Sequence, residues 1–223
     1  MTKKLFFQAV TKFLFGVVVL GALLFVPAGT PRYWHAWLFL GLLFVPMFFA
    51  GIVMMVKNPA LLQKRLNAKE GEKEQKAVVA LSGLMFLAAF VAAGLNYRFH
   101  WLRFPVWAVW VGAGVFLLAY LMYAEVLREN TYLSRTVEVQ ENQTVIDTGL
   151  YGIVRHPMYA ATLFLFLSMG LILNSPITYA ITLFYIPIIA VRMKNEEKVL
   201  EEGLPGYREY KAKVKYKVIP FLW

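Results

Sequence analysis

Long apolar runs divided by short polar breaks dominate the chain. Four of them, Phe6–Val26, Trp34–Val56, Ala77–Leu95 and Pro105–Ala124, each hold close to the number of residues a helix needs to cross a bilayer, about 20. A fifth apolar block, Met158–Val191, is interrupted by Asn174-Ser175-Pro176. Either half is short for a full span, so the block predicts a tight helical hairpin whose ends reach the headgroup zone. No stretch alternates as a strand does. The pattern therefore predicts an all-α, polytopic integral membrane protein of about six transmembrane helices. It would end in a C-terminal hairpin and a polar tail.

Composition points the same way. Of the 223 residues, 60% are hydrophobic and only 16% charged, with a mean hydropathy of +0.58. An ordinary water-soluble globule, a disordered chain and a coiled coil are thereby excluded. The net charge of +10 would suggest nucleic acid in a soluble protein. In this chain it is read instead as basic loops against an anionic membrane face, and no nucleic-acid partner is expected. The absence of cysteine removes disulfides, thiolate metal sites and cysteine nucleophiles.

Charge also orders the topology. With six spans, all but three of the 23 Lys and Arg share one side with both termini and all 13 acidic residues. Only Arg32, Arg98 and Arg103 fall opposite. The positive-inside rule makes the basic side cytoplasmic. Trp34, Trp37, Tyr97, Trp101 and Trp107 mark the other boundary, as an aromatic belt does. A rival reading of the first run is a signal peptide, with Lys3 and Lys4 before it and Val26-Pro27-Ala28-Gly29 as a loose cleavage site. That reading would strand the basic loops on the wrong side. The polar segment Lys57–Lys76 is either a surface-lying helix or a solvated loop. Asn142-Gln143-Thr144 matches a glycosylation sequon that the expected cytoplasmic placement leaves idle. The chain divides into a four-helix region, 1–124, and a region expected to carry the chemistry, 125–223, as one structural unit.

Chemistry is thinly supported in the first 120 residues, where Gln8, His35 and His100 lie scattered near helix ends. No His or Cys spacing suits a metal, and no glycine-rich fingerprint follows a strand. The last 100 residues differ. Thr148–Tyr159 (TGLYGIVRHPMY) leads directly into the hairpin, with Pro157 fitted to the first turn of the helix it opens. The free N–H groups there favour a carboxylate. Arg155, His156 and Tyr159 stand beside that end. The hairpin returns to Arg192-Met193-Lys194-Asn195-Glu196-Glu197, so Arg192 and Glu196, four apart on one helix face, can meet the 155–159 segment and pair. Tyr207, Tyr210 and Ile219-Pro220-Phe221 follow in a basic aromatic tail able to fold back as a lid, or to anchor an interfacial helix.

The ordered set Gly149-x-Tyr151-x-x-x-Arg155-His156-Pro157-x-Tyr159, the Asn-containing turn, Arg192-x-x-x-Glu196-Glu197 and Tyr207-x-x-Tyr210 resembles the catalytic region of the isoprenylcysteine carboxyl methyltransferases. Related prokaryotic membrane methyltransferases and, more distantly, phospholipid N-methyltransferases share it. The resemblance covers about a third of the chain. It implies S-adenosylmethionine bound at the cytoplasmic helix ends by Tyr151, Arg155, His156, Pro157, Tyr159, Glu196, Glu197 and Tyr207. Arg192 would lie near the acceptor, with Arg192 and Glu196 as the catalytic residues. Further backbone contacts are expected from the loop between Glu125 and Tyr151. A sulfonium methyl is already activated, so transfer needs mainly positioning and exclusion of water. A carboxylate acceptor needs no base, which favours an amphipathic or lipid-modified acid such as a prenylcysteine.

A second resemblance, to the membrane sterol reductases that bind NADPH, rests on the ending Lys215–Trp223. It is weakened at Met158, where those proteins usually have Asn, and at Glu196-Glu197, where they have Asp-Glu. A scaffold or transporter is the non-enzymatic alternative; a transporter should carry ionisable groups at mid-membrane, and these helices carry essentially none.

Overall fold

The computed structural model describes residues 3–66, 73–133 and 139–223. Every regular element among them is helical: α1 (Lys3–Ala28), α2 (Trp34–Lys57), α3 (Pro59–Leu66), α4 (Lys73–Phe99), α5 (Val106–Glu129), α6 (Pro157–Ile172), α7 (Pro176–Thr182), α8 (Tyr185–Gly203) and α9 (Tyr207–Lys213). A single 3-10 turn, Gly149–Gly152, precedes α6. Within the described residues, α1, α2, most of α4, α5 and the combined helical segment Pro176–Gly203 are long and apolar enough to cross a membrane. The shorter apolar helix α6, 16 residues, is the first arm of the hairpin. The part of the Lys57–Lys76 segment at 67–72 lies outside the described residues, as do 134–138 of the loop between Glu125 and Tyr151.

Between the apolar helices, close approach rather than hydrophobic contrast sets the packing, since lipid is as apolar as leucine. Among the described elements the α5–α6 contact is the most extensive, and Gly112 permits it: a Cβ there would lie 2.7 Å from Leu171 Cβ. Gly170 does the same for the hairpin, where a Cβ would stand 2.6 Å from Tyr179 Cα.

The loops α1–α2 and α4–α5 and the hairpin turn share one end of the bundle. Asn174 turns the chain in the left-handed region (φ 51°), which Asn tolerates better than most residues. Its Oδ1 accepts from Phe104 N at 2.7 Å, and the Tyr33 hydroxyl donates to Leu173 O. Ser175 caps α7 by accepting from Thr178 N, and the Thr178 hydroxyl donates to Ala89 O of α4 at 3.0 Å. Pro176 opens α7 at a position that needs no donor.

The second arm departs from an unbroken helix. It stops at Thr182, turns through Leu183 and Phe184, and restarts at Tyr185. Pro187 explains the break. It has no N–H to give to Leu183 O, and its ring crowds that carbonyl, so Ile186 N bonds Leu183 O in a tighter turn instead. Beyond it α8 runs unbroken to Gly203, well past the end of the apolar block.

Candidate active site

The end of the bundle opposite the hairpin turn holds a cleft. Its volume, open mouth included, is about 840 Å³. One wall is the start of α6. His156 is the N-cap and Pro157 the first helical residue. The segment before α6 is fixed by the returning tail: Arg155 N donates to Tyr216 O at 2.9 Å, and His156 N to Lys217 O at 2.8 Å.

Helical phase in α8 divides its polar residues. Arg192, Glu196 and Leu200, spaced by four, line the cleft. Met193 and Glu197, one position on, face inward and are buried. Glu197 Oε1 accepts from Arg155 Nε at 2.8 Å and meets His156 Nε2 at 3.1 Å. Its Oε2 faces Lys211 Nζ at 3.3 Å and Lys217 Nζ at 3.8 Å. The Arg155 guanidinium also donates to Val214 O and Lys215 O, at 2.7 and 2.8 Å. One buried carboxylate thus ties α6, α8, α9 and the tail together. Of the expected pair, Glu196 borders the cleft while Glu197 stands behind its wall.

Tyr159, in the first turn of α6 and 4% exposed, joins the two walls. Its hydroxyl donates to Glu196 Oε2 and accepts from Arg192 Nε at 2.8 Å. Arg192 and Glu196 therefore converge on one phenol at the cleft surface, a cation and an anion side by side.

Three tyrosines close the outer side. Tyr210 donates to Tyr151 O at 2.8 Å, and Asn130 Nδ2 donates to the Tyr151 hydroxyl at 2.9 Å. Burial pushes the Tyr151 phenol up to about 12, against the Asn130 hydrogen bond that pulls it down. Burial also raises the Tyr207 and Tyr210 phenols well above their ordinary value. Tyr207 is buried and lines the cleft, yet among the described residues its hydroxyl has no hydrogen-bond partner. Such an orphan is uncommon and calls for a ligand or water. Leu204, Tyr207, Tyr210 and Val214 pack against Val139 and Val145, which presses the loop after α5 onto α9.

Tyr151, Arg155, His156, Pro157, Tyr159, Arg192, Glu196 and Tyr207 all line this one cleft. Segments at 151–159, 192–196 and 207 thus meet although far apart in number. Asn130, Leu133 and Gln143–Ile146 add to the lining from the loop between Glu125 and Tyr151, where contacts are expected although no residue type or spacing singles these positions out. Nothing in the sequence marks Lys211 or Lys217 as partners of Glu197 either; polar residues in an irregular loop and lysines in a basic tail are too common to signal a wall.

Residues 107–205 match the family model described as phospholipid methyltransferase. That region runs from α5 through α8 and holds every cleft residue named above except Tyr207 and Tyr210. The family match agrees with the resemblance read from the sequence at Gly149–Tyr159 and Arg192–Glu197. Over 97% of this chain and 84% of its own, a solved structure titled as the eukaryotic intramembrane Ras methyltransferase, isoprenylcysteine carboxyl methyltransferase, shares the fold at a TM-score of 0.56 and 19% identity. No curated protein matches the chain by sequence.

Proposed function

We propose that this protein is a membrane-embedded methyltransferase that uses S-adenosylmethionine and methylates an amphipathic acceptor at the cytoplasmic membrane face. One observation carries the reading: the methyltransferase-family region encloses a cleft walled by Glu196, Tyr159 and Arg192, beside a buried Tyr207 hydroxyl left without a partner. When bound, the cofactor supplies a methyl group already activated by its sulfonium. The residues present suit it. Glu196 brings negative charge to the cleft, the Tyr207 hydroxyl offers an unused hydrogen bond, and Leu200 and Leu204 give apolar surface.

Arg155, His156 and Glu197 hold the wall in place, and Tyr159 fixes both Glu196 and Arg192. The Arg192 fork suits a carboxylate. Among the described residues no spare base lines the cleft: His156 is engaged by Glu197, and Glu196 by Tyr159. An acceptor that is already an anion at neutral pH, such as a prenylcysteine carboxylate, therefore fits better than an amine. Calorimetry in detergent with S-adenosylhomocysteine and with NADPH tests the reading. Heat with the first and none with the second is expected; heat with NADPH alone ends it. Radiolabelled methyl transfer to prenylcysteine analogues and to host lipid extract then identifies the acceptor.

A further inference from the structure

The far end of the bundle, away from the cleft, carries a set of cations that the methyltransferase reading leaves unused. Arg32, Arg98 and Arg103, the three arginines outside the basic side, are all exposed there. Hydrogen bonds hold the segments bearing them together. Tyr97 donates to Arg32 O at 3.3 Å, the Arg98 guanidinium lies over Gly29 of the α1–α2 loop, and Arg103 donates to His100 Nδ1 at 2.7 Å. The platform is rigid, because Asn174 and Asn96 anchor the α4–α5 loop from below.

No aspartate or glutamate occurs in residues 26–36, 93–108 or 172–178, which build this end, and among the described residues none of the three arginines meets a carboxylate. The α2 and α5 helices also begin here, adding the positive ends of their dipoles. Their first turns lack side-chain caps. Among the described residues no carboxylate compensates this charge; Arg98 alone has a ring beneath it, that of Phe99 at 5.5 Å. Its level in the membrane is marked by exposed Trp34, Trp37, Trp101 and Trp107, which favour the headgroup zone. An anion meeting the arginines at that depth, among apolar helices, is one that carries acyl chains.

We infer that Arg32, Arg98 and Arg103 form a docking site for the phosphate of an anionic phospholipid, held on the leaflet opposite the cleft. The lipid's tails lie along the exposed faces of α2 and α5, and its phosphate supplies the counter-charge that the protein omits. Attraction of each arginine to an anionic surface corresponds to roughly a fivefold preference over a zwitterionic lipid. Glutamine at all three positions should remove most of it.

Tryptophan fluorescence reads this end selectively, because five of the six tryptophans, all but Trp223, lie between residues 34 and 110. The full chain carrying Trp223→Phe is reconstituted in phosphatidylcholine with increasing phosphatidylglycerol brominated in its acyl chains, and separately with brominated phosphatidylcholine. Quenching should saturate early with the anionic lipid, giving a relative association constant about tenfold or more above one. The Arg32→Gln/Arg98→Gln/Arg103→Gln variant should bring the ratio close to one, while the triple Lys variant keeps it raised. A ratio near one in the parent overturns the inference whether or not any variant folds. An equal ratio in parent and glutamine variant also overturns it. Displacement of the anionic lipid by inorganic phosphate at matched phosphate concentration would mark a free-anion site and overturns the lipid assignment.

Discussion

Arg155 and Glu197 form an ion pair at 2.8 Å with each side chain only 5% exposed, and they lie 42 residues apart in the chain. Taking two charges out of water is costly, and the pair persists because His156, Lys211 and Lys217 surround the same carboxylate while Val214 and Lys215 carbonyls receive the rest of the guanidinium.

Removing one partner should therefore hurt more than removing both. Glu197→Leu leaves Arg155 buried without its anion and is expected to cost about 3–5 kcal/mol. Arg155→Met should cost a similar amount. The double variant should lose clearly less than the sum of the two. Thermal unfolding of the protein in detergent gives all three values, and simple additivity would mean that the pair is not coupled.

At Tyr159 a single oxygen serves Glu196 and Arg192 together. Tyr159→Phe keeps the ring and deletes that oxygen. Loss of hydrogen bonds to charged groups is worth about 1.5–3 kcal/mol each, so binding of S-adenosylhomocysteine should weaken at least roughly tenfold. The melting temperature should fall as well, so affinity is compared at a temperature where both proteins are folded. Unchanged affinity would detach Tyr159 from the proposed cofactor site.

Helix contact in α5 offers a clean comparison. Gly112→Ala places a Cβ 2.7 Å from Leu171 Cβ and 3.2 Å from Ser168 O, whereas Gly114→Ala meets nothing within 4 Å. The first should destabilise by about 1–3 kcal/mol through overpacking. The second should be neutral or slightly stabilising, since alanine is the better helix former. Parallel melting curves check the pair.

The Tyr151 phenol stands near 12 in the folded protein and near 10 unfolded. Below pH 10 both states hold the proton and its contribution does not vary. Between about 10 and 12 only the unfolded state gives the proton up, so stability falls as pH rises through that window. Tyr151→Phe should flatten part of that fall, at the cost of the Asn130 hydrogen bond. Absorbance of phenolate during alkaline titration monitors it.

Much of this architecture is legible in the amino-acid order because each long apolar run is itself a sufficient statement of a helix in lipid. The Asn174-Ser175-Pro176 break marks the hairpin turn just as directly, since Asn takes the left-handed position and Ser caps what Pro begins. The interruption at Leu183–Phe184 is hidden, because Pro187 sits inside an apolar stretch and acts on a carbonyl four residues earlier. The different outlooks of Glu196 and Glu197 are hidden too. Adjacent carboxylates read alike in sequence, and only the phase of α8 against Arg155 turns one toward the cleft and the other away. Lys211 and Lys217 reach Glu197 only after the tail has folded back, so no local spacing announces them.

The Pro187 break has a consequence for how substitutions will sort. On its N-terminal side α7 is bolted to α4 and the loops by Ser175, Thr178 and Asn174; on its C-terminal side α8 carries Arg192 and Glu196. Across the break the helical ladder is carried by tighter turns, Phe184 N to Ile181 O and Ile186 N to Leu183 O, so damage to the bolted half should be felt as lost melting temperature, and damage at the cleft-facing Arg192 and Glu196 as lost turnover.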